Sequence, residues 1–415
     1  MKMTARSRAE RFKFHGVKKI ALLMLLLLAS TAGYAQKQNQ IVIGTTEVVH
    51  SSILGEERTI MIHVPQGAPG QRYPVLYVLD GEDHFGSAVA ITEQLSGVFP
   101  PLIVVGIKNT VRQRDLTPDK GHIGKILNAD QSAKSGGGDN FIAFLEKELI
   151  PYIDGHYPTA PYRIFSGHSL GGLAALNAFF HHTDLFNAYI VIDPSIWWDD
   201  QEWVKAAEQA SLKKDFTNKR LFVAVANNIP PGFDAESILK DTTGLAPVTQ
   251  AVLPFVSFLR EGKLKGLEWT SKFYAEERHG TVELNAEYDA LRYIFKDFQF
   301  SVRSFNQHPE WDRDAVLTAH YQQVSQRMGY KVLPPEDMVN ELAYACIEKH
   351  QMAQALALFE RNVANYPNSA NAFDSLGDYY VAAGDKPQAI QAFSKSLSIG
   401  NMSETRQKLD ALKGK

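Results

Sequence analysis

The segment 165–173 constrains this fold more than any other part of the chain. It carries the pattern Gly-x-Ser-x-Gly, with Ser169 at its centre. The β-prone run 162–165 comes before it, and the apolar, Ala-rich run 173–180 that follows is typical of a helix. A serine placed between a strand and a helix occupies a sharp turn, which directs its hydroxyl outward at the end of a sheet. The segment therefore predicts a strand–turn–helix unit with Ser169 as a nucleophile.

Strand-like and helix-like segments alternate through the first 300 residues. Segments 73–79 and 102–107 are almost continuously apolar, which is typical of strands buried on both faces. Segments 40–51 and 59–64 alternate apolar and polar residues and predict two antiparallel strands at a sheet edge. Further strands are predicted at 189–192, 221–226 and 267–274, and helices at 88–96, 140–153, 248–259 and 285–298. The alternation predicts an α/β fold with a mainly parallel, doubly wound sheet, which binds ligands where its strands end, as at Ser169.

The first 35 residues have the features of a secretory signal peptide. A basic stretch at 6–19 is followed by the unbroken apolar run 20–29 and by small residues before Gln36. The apolar run is short for a membrane span, so cleavage is favoured over an uncleaved anchor. The sequence therefore predicts a periplasmic or extracellular protein with no stable membrane span after cleavage. The single cysteine, Cys346, excludes an internal disulfide.

Two features near the strand ends are candidates for substrate contact. The polar, Gly-rich segment 112–138 interrupts the strand–helix alternation and is predicted to be a loop over the site. Arg114 in this loop either contacts an anionic substrate or pairs with a neighbouring carboxylate. Trp197 and Trp198 follow the strand at 189–192, where they either wall an acyl pocket or pack in the core.

A serine hydroxyl needs a base within hydrogen-bonding reach to act as a nucleophile. In hydrolases with this strand–turn–helix unit, the histidine comes late in the chain, after the acid. His279 follows the strand at 267–274 and precedes the last helix of the sheet region, so it is the predicted base. His308 is the alternative, although it lies beyond that helix.

Backbone N–H groups are expected to stabilise the negative charge that forms on the substrate oxygen. One is the N–H of Leu170, directly after the nucleophile. The second should come from the loop after strand 73–79, from Gly81 or Glu82.

The acid that orients the histidine is harder to identify. In this type of hydrolase it follows the strand predicted at 221–226, but that strand runs into the amides at 227–228. Asp234, after a rigid Pro-Pro-Gly turn, is the first prediction, and Asp241 is the alternative acid. Asp241 can instead cap the next helix. Glu277 and a dyad without any acid also remain open.

The C-terminal part contains an internal repeat. Residues of similar type recur 34 positions apart in five pairs: Val339 and Phe373, Leu342 and Leu376, Ala343 and Gly377, Ala355 and Ala389, Phe359 and Phe393. The period and residue types resemble tetratricopeptide repeats, which implies a surface for protein binding or packing. The predicted organisation is a signal peptide at 1–35, an α/β domain at 36–304, a helical linker at 305–335 and the repeats at 336–415.

Five motifs together resemble an esterase family that includes esterase D, feruloyl-type esterases and enterochelin-type siderophore esterases. They lie at residues 75–81, 114–118, 167–172, 193–198 and 279–280. The resemblance implies an α/β-hydrolase fold and a serine carboxylic-ester hydrolase that uses no metal or cofactor. It also implies that Ser169 is the nucleophile and His279 the base. The implied substrate is a small-molecule or glycan-linked ester.

The sequence is also compatible with a second class of function. The chain can be a catalytically inactive hydrolase-fold module or scaffold whose repeats hold a protein partner. The presence of Ser169, His279 and a suitable oxyanion loop favours the enzyme. A net charge of −3 gives no electrostatic reason to expect a nucleic-acid partner.

Overall fold

An eight-stranded sheet organises the structure, a computed structural model that describes residues 41–67, 70–121, 129–244, 246–308 and 310–414. The predicted signal peptide lies outside the described residues. The strands are β1 Thr45–Ser51, β2 Glu56–His63, β3 Tyr73–Val78, β4 Ile103–Ile107, β5 Thr159–His168, β6 Ala188–Ile192, β7 Arg220–Ala226 and β8 Glu268–Tyr274.

The sheet is mixed but mainly parallel, as the sequence predicted. Its strand order is β1-β2-β4-β3-β5-β6-β7-β8. Strand β2 pairs antiparallel with both β1 and β4, while the five remaining pairings, from β3–β4 to β7–β8, are parallel. The carboxyl ends of β3 and of β5 to β8 therefore meet at one edge of the sheet, and the side chains that follow them share one site.

Helices cover both faces of this sheet. They are α1 Gly81–Gln94, α2 Arg112–Leu116, α3 Ala129–Ala133, α4 Gly138–Phe144, α5 Ile150–His156, α6 Leu170–His181, α7 Glu202–Ser211, α8 Ala235–Lys240, α9 Pro247–Arg260 and α10 Glu283–Ile294. A π-helical turn at Leu145–Leu149 joins α4 to α5, and a short 3₁₀ helix spans Trp198–Gln201. Successive residues of a strand point to opposite faces, so Tyr77 joins one apolar core and Leu76 the other.

Two parts of the region predicted as a loop at 112–138 are helical. It contains α2 and α3, and residues 122–128 between them are outside the described part of the chain. The Gly-rich end of the segment packs against α2, because Gly137 N–H donates to Arg114 O and Gly138 N–H to Thr117 O, each over 2.9 Å.

An all-helical region follows the sheet. Its helices are α11 Val302–Gln307, α12 Arg313–Met328, α13 Glu336–Glu348, α14 Met352–Asn365, α15 Ala370–Ala382, α16 Lys386–Ile399 and α17 Ser403–Lys413. Helices α13 and α15 begin 34 residues apart, as do α14 and α16. The helices thus follow the sequence period, while the assignment to tetratricopeptide repeats stays a prediction.

Helix α12 connects the two parts of the structure. Val324 and Met328 pack into the core of the sheet, whereas Leu317 and Tyr321 pack with the C-terminal helices. Residues from Gly44 onward form one compact unit. The domain boundaries drawn from the sequence remain predictions. No helix in the described ranges is both long and apolar enough to cross a membrane.

Candidate active site

The turn between β5 and α6 holds Ser169 in a conformation that few side chains adopt. Its φ is 60° and its ψ is −119°, which lies outside the main allowed regions. The turn is tight, because a Cβ at Gly167 would lie 2.2 Å from the carbonyl oxygen of Gly171. The Ser195 N–H donates to Ser169 O over 3.0 Å and helps to hold the turn. The backbone is therefore shaped to present the Ser169 hydroxyl at the sheet edge.

A chain of hydrogen bonds connects this hydroxyl to a histidine and a buried carboxylate. Ser169 Oγ lies 3.0 Å from His279 Nε2, a distance at which the hydroxyl donates to a neutral ring nitrogen. His279 Nδ1 donates to Asp193 Oδ2 over 2.6 Å. The arrangement has the geometry of a serine–histidine–aspartate triad.

Asp193 is fully buried and firmly held at the end of β6. Its φ is 38°, so its backbone also has a strained, left-handed conformation. The Ala226 N–H donates to Oδ1 over 3.0 Å, and Asn228 Nδ2 donates to Oδ2 over 2.8 Å. Asn228 also accepts the His279 N–H over 2.9 Å. The end of β7 thus supplies two donors that fix the carboxylate and an acceptor that fixes the histidine loop.

The structure corrects the predicted acid. Asp234 is the N-cap of α8, where its side chain accepts from Ser237 N over 2.8 Å, and it is exposed. Asp241 accepts from the backbone and hydroxyl of Thr243 just after the same helix. Both carboxylates are used in local turns, and the place next to the imidazole belongs to Asp193.

Asp193 was missed because the sequence reasoning expected the acid one strand later. The signal that identifies it is its position: it directly follows a fully buried strand that pairs with the nucleophile strand. Parallel neighbours end at the same edge, so an aspartate at the end of β6 lies beside Ser169. Of the two amides after β7, which seemed to break the pattern, Asn228 donates to this aspartate and Asn227 to the backbone oxygen of Ala275.

The alternative histidine, His308, and a second histidine near the site, His168, have other surroundings. His308 pairs with Glu310 over 2.8 Å and stacks on Trp311 with ring centres 4.2 Å apart, in the connection between α11 and α12. His168 lies beside His279, with ring centres 4.6 Å apart. Burial, and then the neighbouring His279, lower the pKa of His168 to about 4, so it is neutral near pH 7.

The expected oxyanion donors are at two helix N-termini near Ser169. Leu170 is the first residue of α6, and Gly81 and Glu82 are the first two of α1. N–H groups in the first turn of a helix have no acceptor within that helix. A Cβ at Gly171 would lie 3.3 Å from Asp80 Oδ2, which shows how closely the two turns approach.

Two of the three predicted pocket residues have hydrogen-bond partners within the protein. Arg114 donates to Glu56 and to Asp115, with closest distances of 2.7 Å to each. Arg114 also holds the pKa of Glu56 down at about 2. Trp198 is buried and donates through Nε1 to Asp119 over 2.8 Å. Trp197 is half-buried against the same core.

The chain is similar to proteins that are named as esterases or as a serine hydrolase. Residues 51–231 match the family model described as "Putative esterase". The crystal structure of an IroE-like serine hydrolase from Shewanella oneidensis is 31% identical, with a TM-score of 0.65, and the match covers 77% of this chain and 98% of that one.

Two curated relatives match over shorter segments. The ferri-bacillibactin esterase BesA of Bacillus subtilis is 33% identical, over 39% of this chain and 62% of its own length. The siderophore enterobactin esterase of Emericella nidulans is 29% identical, over 34% of this chain and 52% of its own length. The chain thus spans between half and two thirds of these two curated relatives.

The match covers nearly the whole of the Shewanella hydrolase at 31% identity, and the chain has the strand order and the tight turn at Ser169 described above. The predicted α/β-hydrolase fold is confirmed, and the chain belongs to the Putative esterase family.

Proposed function

We propose that this protein hydrolyses carboxylic esters through an acyl-enzyme on Ser169. The observation that carries the proposal is the continuous hydrogen-bond chain from Ser169 through His279 to Asp193. Ser169, Asp193 and His279 follow three different strands, β5, β6 and β8, whose carboxyl ends lie at one edge of the sheet. Each of them has the partner that its role requires. A decayed site would be expected to lack at least one of these contacts.

In the first step, His279 Nε2 takes the Ser169 proton as Oγ attacks the ester carbonyl carbon. Asp193 accepts the hydrogen bond from Nδ1, which keeps the proton off Nε2 before the reaction and stabilises the imidazolium that forms. The carboxylate is already desolvated and held by Ala226 and Asn228, so it does not need to reorganise during the step.

The attack places negative charge on the former carbonyl oxygen. The N–H of Leu170 and that of Gly81 or Glu82 are the proposed donors to it, since all three begin helices beside Ser169. His279 then gives its proton to the departing alcohol oxygen, and the acyl group stays on Ser169. Water, deprotonated by the same histidine, attacks the acyl-enzyme and releases the acid.

For the substrate, we propose an ester of the siderophore class. Of the two curated relatives reported above, one is named a siderophore enterobactin esterase and the other a ferri-bacillibactin esterase, and these names are the support for the assignment. We also propose that the chain acts after export, on the basis of the predicted signal peptide. The binding of a protein partner by the C-terminal helices is a further proposal that rests on the repeat pattern.

Purified protein tests these proposals with a panel of three esters. p-Nitrophenyl acetate reports general esterase activity, and enterobactin and ferri-bacillibactin report the substrate class by product identification. We expect hydrolysis of all three and none by folded Ser169→Ala. Turnover of the aryl ester but of neither siderophore would refute the substrate class and keep the esterase. No turnover by folded wild-type protein would favour the inactive module.

A further inference from the structure

A second group of chemically active side chains lies next to the triad, at the start of α1, the end of β5 and the start of α10. His84, His168 and Glu283 each offer one ligand atom, and these three atoms lie within 4.8 Å of one another. His84 Nδ1 is 2.5 Å from Glu283 Oε2, and the His84 and His168 rings meet edge to face, 6.2 Å apart. None of the three has a role in the proposed ester hydrolysis.

His168 has a ring nitrogen that no described protein group satisfies. Its Nε2 is buried and has no hydrogen-bond partner among the described residues. A neutral histidine offers a metal the lone pair of such a ring nitrogen. A buried, unpaired ring nitrogen is otherwise costly, because it has lost its contact with water.

The other two side chains leave a path for an ion to enter. The side chain of His84 is 20% exposed and that of Glu283 is 14% exposed, so the group is reachable from solvent without being open. Two imidazoles and one carboxylate form a ligand set that zinc takes in proteins, with water in a fourth position. Tetrahedral zinc with bonds of about 2.0–2.2 Å holds its ligand atoms about 3.4 Å apart. To bind the ion, side-chain rotations would have to bring these three atoms, which lie within 4.8 Å of one another, to that spacing.

We propose that His84, His168 and Glu283 bind a divalent cation of the zinc class. The ion would connect α1, β5 and α10, three elements that are far apart in the sequence. It would therefore stabilise the folded chain, since the unfolded chain does not hold these ligands together. The proposal concerns a site separate from the acyl chemistry and does not depend on the proposed function.

Zinc titration of the full-length, chelator-treated protein tests the site. We expect one Zn²⁺ per chain by calorimetry, a higher melting temperature with Zn²⁺, and the absorption of tetrahedral Co²⁺ when cobalt replaces zinc. His84→Ala and Glu283→Gln should each weaken binding by more than the 10–100-fold that loss of an outer-shell partner typically costs. Circular dichroism checks that both variants are folded.

Two control variants separate this site from other sources of zinc binding. His63→Ala removes a similar histidine–glutamate pair, His63 with Glu93, which has no third ligand among the residues that the structure describes, and we expect wild-type zinc binding. His279→Ala removes the triad histidine but keeps its backbone, and the zinc should still bind. Loss of binding in His279→Ala, with retention in His84→Ala, would assign the ion to the triad and overturn the proposal. Absence of stoichiometric binding by the wild-type protein would also overturn it.

Discussion

The sheet region and the C-terminal helical region both have apolar cores, but they differ in where the backbone has strained, positive φ angles. Asp80, Ser169 and Asp193, at or just after the ends of three parallel strands, all have positive φ. Among the described residues after α10, His350 is the one non-glycine residue with positive φ. Strained backbone persists only where the surrounding structure fixes it, and it tends to occur where geometry serves function.

The buried polar groups of the two regions differ in the same way. In the helical region, Asn362 donates to Asn340 over 2.8 Å, and Asp374 accepts from Thr405 over 2.7 Å. These contacts join one helix to another. In the sheet region, buried Asp193 leads through His279 to a serine hydroxyl at the sheet edge. The buried polar groups of the helical region hold helices together, whereas those at the strand ends lead to the Ser169 hydroxyl.

The largest effect is expected at the serine and histidine. Ser169→Ala and His279→Ala should each lower ester turnover by on the order of 10⁶-fold, because the pair acts as a unit. His308→Ala, the matched control, should have wild-type turnover. Steady-state kinetics with p-nitrophenyl acetate measure this. An inactive His308→Ala with an active His279→Ala would contradict the assignment.

Replacement of the acid should have the next largest effect. Asp193→Asn keeps the shape of the side chain but cannot stabilise the imidazolium, and we expect a loss of about 10⁴-fold in turnover. Asp234→Asn alters an exposed helix cap and should leave turnover close to wild type. Equal turnover of the two variants would remove Asp193 from the triad.

Substitution at the junction should change stability without changing chemistry. Met328→Ala empties part of the core between α12 and the sheet, and should lower the free energy of unfolding by about 2–5 kcal/mol. Gln322→Ala, at an exposed position of the same helix, should have little effect. Denaturant unfolding measures the loss, and turnover below the unfolding range should be unchanged. A stable but inactive Met328→Ala would show that the helical region takes part in catalysis.

A smaller, pH-dependent effect is expected at Glu287. Burial raises the pKa of this carboxyl from 4.5 to about 8, with a further contribution from Glu283. The folded state therefore keeps a proton that the unfolded state has lost, and stability falls as pH rises from about 4.5 to about 8. Glu287→Gln should raise the melting temperature of chelator-treated protein at pH 8 more than at pH 5.

Glu404→Gln, at an exposed site in α17, is the control and should leave the melting temperature unchanged at both pH values. A wild-type pH dependence in Glu287→Gln would show that the carboxyl is already ionised in the folded protein.

Much of the fold, and the meeting of Ser169 with His279, could be predicted from the sequence because the signals are local. Apolar strands, the Gly-x-Ser-x-Gly turn and the place of His279 before the last sheet helix are each visible in a short stretch. The acid is different, because its identity depends on which strand end meets the histidine loop. The same is true of Arg114, whose partner Glu56 is 58 positions earlier in the chain.

Covalent labelling tests the central claim most directly. A fluorophosphonate reacts with an activated serine, and peptide mass spectrometry identifies the residue that carries it. In the wild type and in Asp234→Asn we expect one label per chain, on Ser169, at full occupancy. Asp193→Asn should be labelled much more slowly, and His279→Ala should not be labelled at all. A label on another serine, or equal labelling rates in Asp193→Asn and wild type, would contradict the triad described above.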